Sequence, residues 1–109
     1  MKIERYGIYL ADLDPTRGSE MKKTRPVVVV SMNEMNAALD TIVVCPLTTA
    51  LHPRWRSRIQ IRCAGKPAEI AADQIRTISR ARLIKKLDSL SKPNAAHLRR
   101  LISEMYGEA

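Results

Sequence analysis

The sequence predicts a mainly β, α+β fold: a small antiparallel sheet or barrel closed by a C-terminal helix. Three observations predict it. Residues 26–31 (PVVVVS) and 41–47 (TIVVCPL) are dominated by β-branched and apolar side chains, as buried strands are. Residues 57–62 (SRIQIR) alternate, with Ile59 and Ile61 on one side and Arg58, Gln60 and Arg62 on the other. Near the end, Ala95, Leu98, Leu101, Ile102 and Met105 recur at helical spacing.

The elements follow in order. Residues 8–13 form a short apolar strand that stops at Asp12-Leu13-Asp14-Pro15, a turn signal. Residues 15–24 (PTRGSEMKKT) form a polar loop with Gly18 as a hinge candidate. Arg25 precedes a proline, which biases its backbone toward the extended region. Pro26 suits the first position of a strand, where a missing N–H costs little. A loop over 32–40 leads to the strand at 41–47. Continuous apolar runs such as these two predict that both faces are covered. A loop over 51–56 precedes the alternating strand, and 64–67 is a turn. Residues 69–72 and 74–79 read as one strand, or as two interrupted at Asp73. Residues 80–83 suit a short helical turn and 84–90 a further strand. Ser91 is a helix N-cap, Pro93 is tolerated in the first turn, and Gly107 is a C-terminal stop.

The chain has 109 residues, the size of one compact domain spanning 1–109. Phe is absent and hydrophobic residues make up 45%, so the core must rest on Val, Ile, Leu and Ala. Nineteen Lys and Arg against 11 Asp and Glu leave a net charge of +8. That excess points to a polyanionic partner: nucleic acid, an acidic protein or an anionic surface. A merely soluble basic domain is the plainer alternative. No apolar run approaches the ~18 residues of a membrane span. The first residues, MKIERYGIYLADLD, lack the apolar segment of a signal peptide. A cytoplasmic protein with no membrane role is expected. Cys45 and Cys63 lie in apolar or strand-like stretches and read as reduced packing residues. With no CxxC, no HxxxH and only two His, neither a metal site nor a cofactor is expected.

The two central strands suggest where chemistry sits. If they pair with Ser31 opposite Ile42, Arg25 falls opposite Thr48. Directly opposed side chains have Cβ atoms about 4.5–5.5 Å apart. Arg offers a planar fork of donors with a permanent charge, and Thr adds an uncharged donor. Together they suit a phosphodiester and the extra negative charge of its pentacoordinate transition state. RNA brings its own nucleophile, the ribose 2′-hydroxyl, so no metal-activated water is needed. From spacing alone, a strand-start surface charge and a turn hydroxyl are the simpler description. Further candidates surround the pair. Arg54, Arg56, Arg58 and Arg62 lie in an acid-free stretch with Trp55 among them. Such a stretch is a stacking platform for an unpaired base, or Trp55 is a lid on the core. Arg76, Arg80, Arg82, Lys85 and Lys86 form a second acid-free basic run, which a solvated face explains equally well. His52 sits in the basic loop and is an acid–base candidate; His97 lies on the polar side of the helix. Glu20 and Asp73 are the acids nearest by topology, either as general base or as partners that orient Arg25.

At these residues the chain resembles the MazF/PemK (Kid-like) toxins of bacterial type II toxin–antitoxin systems. The resemblance rests on Gly7-Ile8-Tyr9-Leu10, Asp12-Leu13-Asp14-Pro15-Thr16, Gly18-Ser19-Glu20 and Thr24-Arg25-Pro26-Val27-Val28-Val29. Pro46-Leu47-Thr48-Thr49 and Asp73-Gln74-Ile75-Arg76-Thr77 complete it. It implies a homodimer of small SH3-like barrels, each with a C-terminal helix. It implies metal-independent, sequence-specific cleavage of single-stranded RNA to 2′,3′-cyclic phosphate and 5′-hydroxyl ends. By resemblance Arg25 and Thr48 are catalytic, Glu20 matches an acidic position near them, and Asp73 matches an Asp used in the Kid branch. That branch also uses a His and an Arg where this chain has Ser19 and Ala71. Its acid–base assignment therefore does not carry over, and the general base stays open, with Glu20 ahead of Asp73 and His52. RNA contacts are expected from Ser19, Lys22, Lys23, Thr49, His52, Arg54, Trp55, Arg56 and Arg76. An acidic antitoxin is the implied protein partner. Two rival readings are a gyrase poison of the CcdB type and a non-catalytic nucleic-acid-binding barrel. The first acts through a C-terminal Trp-Gly-Ile, whereas this chain ends Tyr106-Gly107-Glu108-Ala109.

Overall fold

The computed structural model describes residues 1–14, 18–21 and 23–107. Its elements are β1 (Gly7–Asp12), β2 (Thr24–Val29), α1 (Asn33–Ala38), β3 (Thr41–Thr48), β4 (Arg58–Cys63) and β5 (Lys66–Ala71). A 3-10 turn at Ala72–Gln74 leads to β6 (Arg76–Ser79). A second, at Arg80–Arg82, leads to β7 (Leu83–Ser89) and then α2 (Lys92–Tyr106). Every strand pair is antiparallel, in the order β4-β5-β3-β2-β1-β7. β5 and β6 share the edge of β3 that β2 leaves free, β6 along its first half and β5 at its end.

The β-branched runs place this sheet between two cores. Alternation sends Val28, Val30, Cys45 and Leu47 to one face, where they meet Ile59, Ile70 and the helix residues Leu98 and Leu101. It sends Val27, Val29, Ile42 and Val44 to the other, against Tyr9, Leu13, Ile78 and Leu83. Both faces of the central strands are covered, as their unbroken apolar runs require. The sheet curls but does not close by a β4–β7 ladder. The β4–β5 turn instead returns to β7, where the Ala64 N–H donates to Asp88 Oδ2 at 2.9 Å.

Three local features differ from expectation. The connection 32–40 contains α1, whose six residues are too few to show a helical period and whose N-cap, Met32, supplies no side-chain bond. Its buried Asn36 donates to the Ser31 carbonyl at 2.9 Å and accepts from the Ser31 hydroxyl, a buried polar pair that reverses the chain after β2. The turn before β5 is only Ala64-Gly65, with φ of 50° and 81°, the left-handed pair of a tight hairpin, so β5 begins at Lys66. The second basic run, finally, holds chain segments together. Arg80 Nη1 donates to the carbonyls of Asn36 and Leu39 at the end of α1, and Arg82 Nη1 to those of Asp12 and Asp14.

Helix α2 has the expected cap, Ser91 accepting from the Asn94 N–H at 3.2 Å, and it buries Ala95, Leu98 and Leu101. Among the described residues no helix is long and apolar enough to cross a membrane. Gly7 has a steric duty. Tyr9 is fully buried, and its hydroxyl accepts from the Glu4 N–H and donates to the Lys2 carbonyl. A Cβ on residue 7 would stand 2.7 Å from Tyr9 Cε1. Gly7→Ala should lower stability by about 1–3 kcal/mol, the usual cost of overpacking. Urea unfolding checks this, as a lower midpoint with an unchanged slope.

Candidate functional site

The β2–β3 ladder runs Val27 opposite Pro46, Val28 opposite Cys45 and Val29 opposite Val44. This is the expected register, and its continuation sets Arg25 opposite Thr48. Both residues line one cleft of about 270 Å³ with Pro26, Leu47, Thr49 and Ala50. The Arg25 backbone is held by Ala11 across β1, while its Nη1 donates to the Leu47 carbonyl at 3.4 Å. Thr48 Oγ1 accepts from the Ala50 N–H at 3.1 Å and keeps its own proton to donate. The cleft thus has a fixed cation on one wall and a hydroxyl on the other, an arrangement that suits a phosphodiester.

Thr48 also begins a polar row across the sheet. It sits opposite Glu69 on β5, and Glu69 sits opposite Gln60 on β4. Glu69 is 0% exposed. Three donors converge on it: the His52 N–H at 2.5 Å, Gln60 Nε2 at 2.6 Å and Arg58 Nη1 at 2.7 Å. The Arg58 side chain is only 6% exposed, and its other edge holds Asp73 at 2.7 and 3.4 Å. Burial pushes the Glu69 carboxyl up, but Gln60, the His52 amide and Arg58 outweigh it and hold it below its ordinary value. Asp73 behaves alike: burial raises it, and Arg58 and Ser57 bring it below the usual carboxylate range. Above this network lies the loop 49–57. The His52 ring stacks on Trp55 at 3.9 Å with an 8° interplanar angle, and Arg58 Cζ lies 4.7 Å from the Trp55 ring.

Sequence reasoning missed this network. Alternation correctly put Arg58 and Gln60 on the face away from Ile59 and Ile61, but the loop meets that face at Arg58 and Glu69, whose side chains are buried while Gln60 stays exposed. The available signal was Glu69 itself, an acid inside the otherwise apolar run AEIAA. Trp55 is neither a core lid nor a bare platform: it is 50% exposed, with His52 and Arg58 already against its ring.

The other candidates are dispersed. Thr49 lines the cleft, whereas neither Glu20 nor Asp73 does. Exposed Glu20 stands 3.8 Å from Arg76 Nη1, an atom shielded from solvent that finds no hydrogen-bond partner among the described residues. Ser19 and Lys23 are exposed, with Lys23 in the left-handed region and its N–H donating to Asp14 Oδ1. Lys22 lies outside the described residues. Arg54 is exposed, and exposed Arg56 lies 3.9 Å from Glu104. His97 is exposed on α2. Cys45 and Cys63 are free and buried. Burial first, and then the charge of Asp73, pushes the Cys45 thiol up to about 12, so it packs as a neutral group.

Comparison with known proteins gives one consistent picture. Residues 4–106 match the family described as PemK-like, MazF-like toxin of type II toxin–antitoxin system. The chain is 34% identical to Endoribonuclease MazF of Staphylococcus epidermidis, over 83% of this chain and 79% of that protein. The fold is that of MazF from Deinococcus radiodurans, with a TM-score of 0.87 at 19% identity over 99% of both chains. A MazE–MazF complex from the same organism matches with a TM-score of 0.82 at 19% identity, over 100% of this chain and 99% of that one.

Proposed function

The chain belongs to the PemK-like, MazF-like toxin family of type II toxin–antitoxin systems, and from that premise we propose that it is a metal-independent endoribonuclease acting on single-stranded RNA at the Arg25–Thr48 cleft. The observation that carries this reading is the convergence of Arg25 and Thr48, from two strands in register, on one cleft.

The chemistry follows from the groups present. A ribose 2′-oxygen gives up its proton and attacks the adjacent phosphorus, the bond from phosphorus to the 5′-oxygen breaks, and the leaving 5′-oxygen takes up a proton in turn. The products carry a 2′,3′-cyclic phosphate and a 5′-hydroxyl. Arg25 holds the non-bridging oxygens and counters the charge that grows on them, and Thr48 donates a second hydrogen bond. For the proton of the 2′-hydroxyl, Glu20 stays ahead of Asp73 and His52. Asp73 has both oxygens on Arg58, and a carboxyl held below its ordinary value is the poorer acceptor. Thr49, His52, Arg54, Trp55 and Arg56 lie in or beside the loop that would meet the bases. Ser19, Lys22, Lys23 and Arg76 supply polar and basic contacts to the strand.

The protein acts as one domain, in the cytoplasm, as a homodimer. An acidic antitoxin is its protein partner, competing with RNA for a surface suited by the +8 charge. A MazE–MazF complex among its structural relatives supports that partner class.

The test is purified protein with varied single-stranded RNA in EDTA, followed by mapping of product ends. Cleavage to cyclic phosphate ends is expected. RNA left intact across all sequences would favour a non-catalytic binding module.

A further inference from the structure

We propose that Glu69 and Arg58 are positioning residues that clamp the loop 49–57 beside the cleft, and so set RNA affinity and base choice without taking part in bond breaking. The proposal rests on the ribonuclease reading above, and it adds two residues that do not line the cleft.

Among the described residues, the loop has little else to hold its middle. Its internal bonds are local: Thr48 Oγ1 takes the Ala50 N–H, His52 O takes the Trp55 N–H, and Trp55 O takes the Arg58 N–H. The contact of Arg56 with Glu104, at 3.9 Å between exposed side chains, is weak. The ties from the middle of the loop to the sheet run through the buried pair. Glu69 holds the His52 N–H, and Arg58 lies over Trp55, on which His52 is stacked. At the near end of the loop, Ser57 is fixed by the Ala72 N–H.

The chemistry of the clamp demands a carboxylate. Three donors meet at Glu69, and an ionised carboxylate has two oxygens to receive them. An amide of the same shape has one oxygen, and its NH₂ must face either Arg58 or the His52 and Gln60 donors. Glu69→Gln therefore releases one side of the clamp with little change in volume. Arg58→Lys keeps a cation for Glu69 and Asp73 but loses the planar group over Trp55 and the fork that spans both acids.

Trp55 is the chain's single tryptophan, so its fluorescence reports on this loop alone. The experiment measures acrylamide quenching of Trp55 in the folded protein without RNA, then KM, kcat and mapped cleavage sites with RNA. In Glu69→Gln, quenching should rise. KM should rise about 10-fold with kcat within about 3-fold, and cleavage should spread to additional sequences. A role confined to stability would lower the unfolding midpoint and leave the KM–kcat split and the cleavage sites alone. If Glu69→Gln does not fold, Arg58→Lys takes its place, with the same expectation. Unchanged quenching in the folded variant overturns the clamp, and so does a fall in kcat at constant KM. Wild-type protein that cleaves no RNA overturns the ribonuclease reading instead, while the quenching arm still decides whether the clamp exists.

Discussion

Arg25→Ala is expected to slow RNA cleavage at least ~100-fold with the fold intact, the usual cost of removing one preorganised donor from an oxyanion. The loss should fall on the chemical step if, as proposed, the guanidinium counters the charge that develops as the 2′-oxygen adds to phosphorus. Arg25→Lys keeps the charge but loses the planar fork, and should fall between the two. Thr48→Ala should lose at least a similar ~100-fold, since it removes the opposing donor. Neither change should unfold the protein. Arg25 is half-buried at the start of β2, and Thr48 Oγ1 supports only an exposed Ala50 N–H. Single-turnover cleavage of an RNA oligonucleotide with enzyme in excess measures the step directly, and thermal unfolding of each variant serves as the control. Near-normal cleavage by Arg25→Ala would remove it from the mechanism.

The position of that pair followed from an assumed register, Ser31 opposite Ile42, which unbroken apolar runs do not fix by themselves and which the observed ladder has. Each of Val27, Val28, Val29 and Val30 must enter one core or the other alongside the matching residues of β3, and a one-residue slip would reverse every assignment. The loop 32–40 needed no detailed reading for the pairing to come out right, even though it hides α1. The clamp was not legible even with that register assumed. Alternation states which face Arg58 and Gln60 take, but the burial of Arg58 and Glu69 on that face involves a loop folding back against them. No local pattern encodes that fold-back. Asp73 shows the same limit: a break between two strands was one of two readings there, and its commitment to Arg58 depends on how β4 and β5 pair.

The second large effect is on stability. Arg58→Met should cost about 3–5 kcal/mol at neutral pH, because it leaves Glu69 as a buried charge without its cation. The cost should shrink in acid. In the wild type both carboxyls are held below their ordinary values. Their stabilisation is complete above the unfolded values, about 4.3 for Glu and 3.9 for Asp, and is lost as pH falls through the lower folded values. In Arg58→Met, Gln60 and the His52 amide still oppose burial but the contribution of Arg58 is gone, so Glu69 takes up a proton at a higher pH than in the wild type and sheds part of its penalty. Urea unfolding of both proteins at pH 7 and near pH 4 should show the gap narrowing; a constant gap would mean that Arg58 contributes through packing alone. Arg58→Met combined with Glu69→Leu removes both charges, and should recover most of the lost stability, since an apolar pair of similar volume often equals a buried ion pair. Yet the double variant has neither an acceptor for the His52 N–H nor a cation over Trp55. It should be stable and still show the raised Trp55 quenching and raised KM of a released loop. Recovery of stability without recovery of binding would separate what the charges do for the fold from what they do for the loop.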